Sequence, residues 1–142
     1  GNPVIVEGNT FHASSQSDTF HGGSGFYAPM NSRVILRNNI FTETAGSEAA
    51  GMAPTSYFID YGCNVYWANH AGNAFGFSLH ESDRIVNPLY CDSLNDDFFV
   101  AANSPCLPEN SGGCGLIGAF GKGCGAISIE PTSWTRLKSR YR

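Results

Sequence analysis

Val34-Ile35-Leu36-Arg37-Asn38-Asn39-Ile40-Phe41 decides the reading of this chain, because the pattern occurs three times. It returns 25 residues later as Ile59-Asp60-Tyr61-Gly62-Cys63-Asn64-Val65-Tyr66, and it stands 30 residues earlier as Val4-Ile5-Val6-Glu7-Gly8-Asn9-Thr10-Phe11. Each copy alternates apolar and polar residues, the signature of a half-buried strand. One such strand cannot bury its apolar face alone. Stacking equivalent strands at about 4.8 Å builds a parallel ladder and a continuous core. The expected inward sets are Val4/Val34/Ile59, Val6/Leu36/Tyr61 and Phe11/Phe41/Tyr66. Ile5/Ile35/Asp60 and Glu7/Arg37/Gly62 are expected to face outward. Asn9, Asn39 and Asn64 then fall at one bend, where stacked amides can bond along the axis and satisfy turn backbone groups.

A period of 25 to 30 residues is the mark of a solenoid. The 25-residue offset also lays Ala28-Pro29 on Ala53-Pro54, so the match extends over a whole repeat. The longer first offset is taken up by the polar run Ser14-Ser15-Gln16-Ser17-Asp18. Ser24-Gly25-Phe26-Tyr27 and Gly51-Met52 read as the start of another strand in each repeat. Ala74-Phe75-Gly76-Phe77-Ser78-Leu79 alternates well. Arg84–Tyr90 and Asp97–Ala101 read as a final coil, and Gly115–Phe120 as the last strand. The expected fold is therefore all-β: a right-handed parallel β-helix of about three to five coils over residues 1–130. Residues 131–142 are expected to form a short amphipathic capping helix and basic tail. Pro131-Thr132-Ser133 supplies a helix start, and Trp134, Leu137 and Tyr141 fall on one helical face. Such a cap would cover the apolar cross-section and open edge of the last coil.

Composition bounds the rest. The 142 residues include 17 glycines, and only 14% are charged. Residues 1–130 hold all twelve acids against Arg33, Arg37, Arg84 and Lys122, a net charge of −8, while the last twelve residues carry +4. An acidic body is the wrong electrostatic footprint for nucleic acid. No run approaches the ~20 apolar residues of a membrane-spanning helix. The opening Gly1-Asn2-Pro3-Val4 reads as the interior of a domain, so the chain is expected to be a processed product or a fragment of something longer.

Five cysteines lie at positions 63, 91, 106, 114 and 124, with no C-x-x-C and no zinc-finger spacing. A disulfide framework, and so an oxidising compartment, fits better than a metal site. The four later cysteines allow three pairings. The favoured one joins Cys106 to Cys114 across a tight loop and Cys91 to Cys124, leaving Cys63 as a small buried thiol or, less simply, an intermolecular partner.

The asparagine-marked strands, with Asn87-Pro88-Leu89-Tyr90-Cys91-Asp92, Ser104-Pro105-Cys106 and Gly115-Leu116-Ile117-Gly118-Ala119, resemble the C-terminal ends of bacterial secreted right-handed β-helix proteins of the pectate-lyase-like superfamily. The resemblance spans about residues 3 to 125. It implies a long β-helix in an extracellular or cell-surface setting. It does not carry over an activity: lyases of that superfamily use acidic calcium ligands with a basic arginine or lysine on neighbouring coils, and no such set can be placed here residue by residue.

No catalytic residues, metal site or cofactor are assigned. Glu7 and Arg37, with Asp60 nearby, read as a surface ion pair across coils. Asp92, Asp96 and Asp97 could offer oxygens to calcium, but fit no standard loop and read as a turn. His12, His21, His70 and His80 show no ligand spacing. Tyr57, Tyr66 and Trp67, with Phe75 and Phe77, could stack on sugars, although filling the core is the simpler use. The expected function is a non-catalytic extracellular structural module that stacks through its open coil end. The partner there is upstream coils or another copy of itself, the latter giving a fibre. The alternatives are the distal part of a polysaccharide lyase or glycoside hydrolase, and glycan binding without turnover.

Overall fold

The computed structural model describes residues 2–15 and 22–128. Among the described residues the fold is all-β, and helix is confined to one short 3-10 turn, Ser93–Asn95. Ten strands fill three parallel sheets, the first nine in rotation and the tenth returning to the second sheet. Sheet I holds β1 (Val4–Glu7), β4 (Arg33–Arg37) and β7 (Tyr57–Gly62). Sheet II holds β2 (Thr10–His12), β5 (Ile40–Thr42), β8 (Val65–Trp67) and β10 (Arg84–Ile85). Sheet III holds β3 (Phe26–Ala28), β6 (Ala50–Met52) and β9 (Ala74–Phe75). Strands of one sheet come from successive repeats, so each repeat adds one layer.

The register follows the repeat. Val4 lies beside Val34, Val6 beside Leu36 and Phe11 beside Phe41, and Phe41 lies beside Tyr66. Inside the stack the rings of Phe11, Phe41 and Tyr66 are stacked nearly parallel, with centroids 4.8 and 5.2 Å apart. They pack with Val34, Leu36, Ala28, Ala50 and Met52 in one cluster. One expected inward residue is corrected. A bulge in β7 pairs Val34 with Phe58 and then Ile35 with Asp60, so Phe58 turns inward onto Tyr61 and Ile59 is pushed out to 44% exposure. The same extra residue changes the offset from 24 to 25. Ala28 therefore aligns with Met52, not with Ala53.

Two columns of left-handed residues turn the chain between sheets. Gly8, Asn38 and Cys63 (φ +68, +58 and +57) lie between sheets I and II; Ala13, Glu43 and Ala68 (φ +55, +53 and +55) follow sheet II. A non-glycine residue costs roughly 1–2 kcal/mol in this conformation. It persists where stacking on both sides fixes the corner.

The chain beyond β10 departs from expectation. Residues 87–101 do not complete a coil. β11 (Tyr90–Asp92) turns back antiparallel on β12 (Asp97–Ala101), and β13 (Lys122–Cys124) pairs parallel to β12. Residues 115–120 are not a strand. They form a strap that runs across the layers outside sheet II. Asn38 Nδ2 donates to the carbonyls of Cys114 and Leu116 (2.7 and 2.8 Å), Gly118 N to Asn38 O (2.8 Å), and Ala119 N to Thr10 Oγ1 (3.0 Å). Alternation along the strands explains the fit. Phe41 and Tyr66 point into the first core, while their neighbours Ile40 and Val65 point the other way and are buried with Ile117 and Cys106. A β-carbon at Gly118 (φ +92) would meet Ile40 Cδ1 at 2.5 Å, so the strap needs glycine there.

The strap also corrects the cysteine pairing. Cys91 bonds Cys124, but Cys114 bonds Cys63, and Cys106 is the free buried thiol. Cys63 stands at the corner that the strap crosses, beside Asn38 in the column of left-handed residues, whereas Cys106 is turned into the second core. The expected helix around Trp134, Leu137 and Tyr141 lies outside the described residues.

Burial pushes the Cys106 thiol up to about 11 from its ordinary 9.0. Its contribution to stability is thus fully present below pH 9 and lost as pH climbs through 11. Non-reducing peptide mapping is expected to recover Cys63–Cys114 and Cys91–Cys124, with one thiol that reacts only after denaturation. Recovery of a Cys106–Cys114 peptide would contradict the strap. Replacing Cys63 and Cys114 together by serine should cost about 4 kcal/mol, the loop-closure value for a separation of 51 residues, read as a drop in the denaturation midpoint.

Candidate functional site

The asparagine corner is built from the strands that flank it. β1, β4 and β7 end just before it, β2, β5 and β8 begin just after it, and the left-handed residue between them aims each asparagine along the stack. Asn39 Oδ1 accepts from Asn9 N and Nδ2 (3.0 and 3.1 Å). Asn64 Oδ1 accepts from Asn39 N and Nδ2 (both 3.0 Å). The second amide hydrogen of Asn39 reaches the Val6 carbonyl one layer earlier, and that of Asn64 reaches Leu36 O, each at 2.9 Å. Asn39 and Asn64 are fully buried.

The ladder has a fourth rung that sequence reasoning missed. Asp83 Oδ1 accepts from Asn64 N and Nδ2 (2.8 and 3.2 Å). A signal was present: Asp83 precedes Arg84-Ile85 as Asn64 precedes Val65-Tyr66, and Asp can accept as Asn does. A second, shorter set was also missed. Asn69 Oδ1 accepts from Thr44 N and Oγ1, and Asn69 Nδ2 donates to Phe41 O and to Asn73 Oδ1.

The two ends of the stack differ. At the far end Phe77 and Leu79 pack onto the core cluster, with Phe77 edge-on to Phe58 at 4.9 Å. At the near end the inward side chains of the first layer have no layer beyond them among the described residues. Val4 is 45% exposed, whereas Val34 directly beneath is 0%. Val6, Phe11 and Phe26 are half-buried, while Leu36, Phe41 and Ala50 below them are fully buried. The near end is therefore an apolar cross-section framed by β1, β2 and β3, each the outer strand of its sheet.

No family model, curated protein or solved structure matches the chain. The site must speak through its chemistry.

The other candidates resolve into structural contacts. Arg37 pairs with Asp60 (2.9 and 3.0 Å to its two oxygens) and not with Glu7, on an exposed face where such pairs contribute under about 1 kcal/mol. Asp92 accepts from Asn95 Nδ2 and Asp97 from Phe99 N, while Asp96 takes a left-handed turn conformation, so the three build the β11–β12 turn. Among the described residues no three His, Cys, Asp or Glu side chains group as metal ligands. His80 bonds Ser82 in a tight turn, His70 donates only its backbone N–H, to Thr44 O, and His21 lies outside the described residues.

His12 is the most suggestive. Its Nε2 meets Glu43 Oε2 at 3.2 Å, its Nδ1 meets Thr42 Oγ1 at 2.8 Å, and that hydroxyl meets Tyr90 OH at 2.9 Å. Acid, imidazole and hydroxyl in series are the parts of an activated nucleophile. Here Thr42 is only 2% exposed, and burial raises the Tyr90 phenol further above its ordinary value despite the Thr42 bond. The hydroxyls are spent on each other, and with Phe98 tilted against His12 at 4.9 Å the group fastens the β11–β12 hairpin to sheet II.

The candidate glycan-stacking rings separate. Tyr57 and Trp67 are exposed, but Tyr66 is fully buried in the ring stack and is withdrawn as a surface ring. Trp67, Ile85, Val86, Leu89 and Pro105 line a cleft of about 480 Å3. Its three asparagines are committed elsewhere: Asn87 accepts from Leu89 N, Asn103 bonds Ile127 through both amide atoms, and Asn110 donates to Ser104 O. Few polar groups remain there to read a sugar. Tyr66 OH has no hydrogen-bond partner, and burial, with Asp83 nearby, raises its pKa. An unpaired buried hydroxyl costs about 1–3 kcal/mol. Tyr66→Phe is accordingly expected to keep or raise stability by up to about 1 kcal/mol in urea unfolding; a loss of that size would mean the hydroxyl has a partner.

Proposed function

We propose that this chain is a non-catalytic module of an extracellular right-handed parallel β-helix, of the kind that closes bacterial secreted proteins of the pectate-lyase-like superfamily. Its task is to join further β-layers through its near end. Three parallel sheets visited in rotation by the first nine strands support the winding: in a right-twisted parallel sheet, crossovers are right-handed in nearly all cases. Two disulfides suit an oxidising compartment. No helix among the described residues is long and apolar enough to cross a membrane. The observation that carries the docking role is the contrast between Val4, 45% exposed, and Val34, 0% exposed, at the same place in successive layers.

The rival reading is glycan binding, favoured by the exposed ring of Trp67 beside its cleft. The enzymatic alternative, the distal part of a polysaccharide lyase or glycoside hydrolase, would need reacting groups on an open face. The acid–imidazole–hydroxyl series that comes nearest to such a set, Glu43–His12–Thr42, instead has its hydroxyl buried beneath the β11–β12 hairpin.

The docking role is tested by adding a layer. Residues 4–33 can be duplicated ahead of Val4, so that Arg33 of the added copy leads into Val4 as Arg33 leads into Val34. The added layer is expected to fold onto the near end and raise the urea midpoint; an added segment that stays unfolded with the midpoint unchanged contradicts docking. Turnover of acidic or neutral polysaccharide by the 142-residue chain, with or without calcium, would reinstate an enzyme.

A further inference from the structure

The ladder has a direction. In every layer the asparagine donates its N–H and amide hydrogen toward the far end and presents its Oδ1 toward the near end. A stack built this way finishes with different chemistry at its two ends.

At the far end the terminating residue is Asp83. Its Oδ1 takes both donors of Asn64, its Oδ2 takes His80 N at 2.8 Å, and its own N–H is given to His80 O at 2.9 Å. A carboxylate has no amide hydrogen to pass on. The far corner thus has no donor left for another layer. At the near end Asn9 presents Oδ1, to which no described residue donates. Its amide hydrogen, which in Asn39 and Asn64 reaches a carbonyl one layer earlier, is folded back onto Glu7 O of its own layer at 3.2 Å. The near corner therefore lacks two donors and one carbonyl acceptor, the groups that an asparagine-bearing layer supplies to its neighbour within this stack.

Resting on the docking role above, we propose that the near end takes a parallel β-helix layer whose corner residue is asparagine, entering from the N-terminal side, and rejects the far end of a second copy. Stacking two copies head to tail would set the Asp83 carboxylate against Asn9 Oδ1, acceptor facing acceptor, with the Asn9 amide hydrogens already given to Asn39 Oδ1 and Glu7 O. Phe77 and Leu79 also already cover the far core. The polarity counts against a fibre built from this chain alone, the assembly expected from its open coil. Upstream layers become the occupant.

The added-layer chain tests this. In it, the duplicated residue that stands above Asn9 is kept as asparagine or replaced by aspartate or leucine. The asparagine form is expected to fold with an equilibrium constant about tenfold or more above either replacement, since each strands buried or half-buried donors and acceptors. Its Asn9 side-chain amide proton should also become protected from exchange. Equal stability of the three forms, all with the added layer folded, overturns the polarity while leaving docking intact. An added layer that fails to fold in all three overturns the docking role and this inference with it. In parallel, the unmodified chain is expected to sediment without end-to-end polymers as its concentration rises; polymers that lengthen with concentration overturn the rejection of a second copy.

Discussion

The rest of the structure depends on vertical register at one corner. Each buried asparagine there closes hydrogen bonds that span three layers: it accepts from the layer before, donates to the layer after, and returns one hydrogen to a carbonyl of the layer before. Without the Asn39 side chain, the Val6 carbonyl, the Asn9 amide and Asn64 Oδ1 would lose partners together. At about 1–3 kcal/mol for each stranded buried group, that is comparable with the net stability of many domains. Register at the corner in turn stacks Phe11, Phe41 and Tyr66. A slip of one residue would turn every inward side chain outward.

The outer layer makes the stack one-sided. The middle of sheet II is buried on both faces, because the strap and the β11–β12 hairpin lie over Ile40, Val65 and Thr42 and are tied by Cys63–Cys114, by Asn38 and by the His12–Thr42–Tyr90 contacts. Phe77 and Leu79 pack on the far side of the core, while the near end leaves the inward side chains of its first layer half-buried or exposed. This arrangement supports the proposed role of joining further β-layers.

How much of this was legible follows from where the information sits. The three-fold pattern around Asn9, Asn39 and Asn64 named strands of sheets I and II and their register, because stacked repeats meet the same local physics at each layer. It missed the bulge at Ile59, since one added residue is invisible in an alternating pattern until its neighbours are paired. It missed Asp83, because the last repeat shortens to 19 residues from Asn64 and changes residue type. It misplaced the disulfide of Cys114, since spacing favours a close partner and the true one, Cys63, is brought near only by a strap running back across the layers. The second column of left-handed residues, Ala13, Glu43 and Ala68, contains no glycine to announce it. The candidate site was half visible: the open end followed from the repeat, but its donor and acceptor polarity required the side-chain bonds.

Native-state hydrogen exchange at the backbone amides of Asn39 and Asn64 addresses the register most directly. Both N–H groups are bonded to side-chain oxygens inside the stack, so they should exchange only through global unfolding, as slowly as the centres of β5 and β8. Exchange of either amide at the rate of exposed loops such as residues 68–72 would show that the asparagines are not stacked, and the layered account would fall.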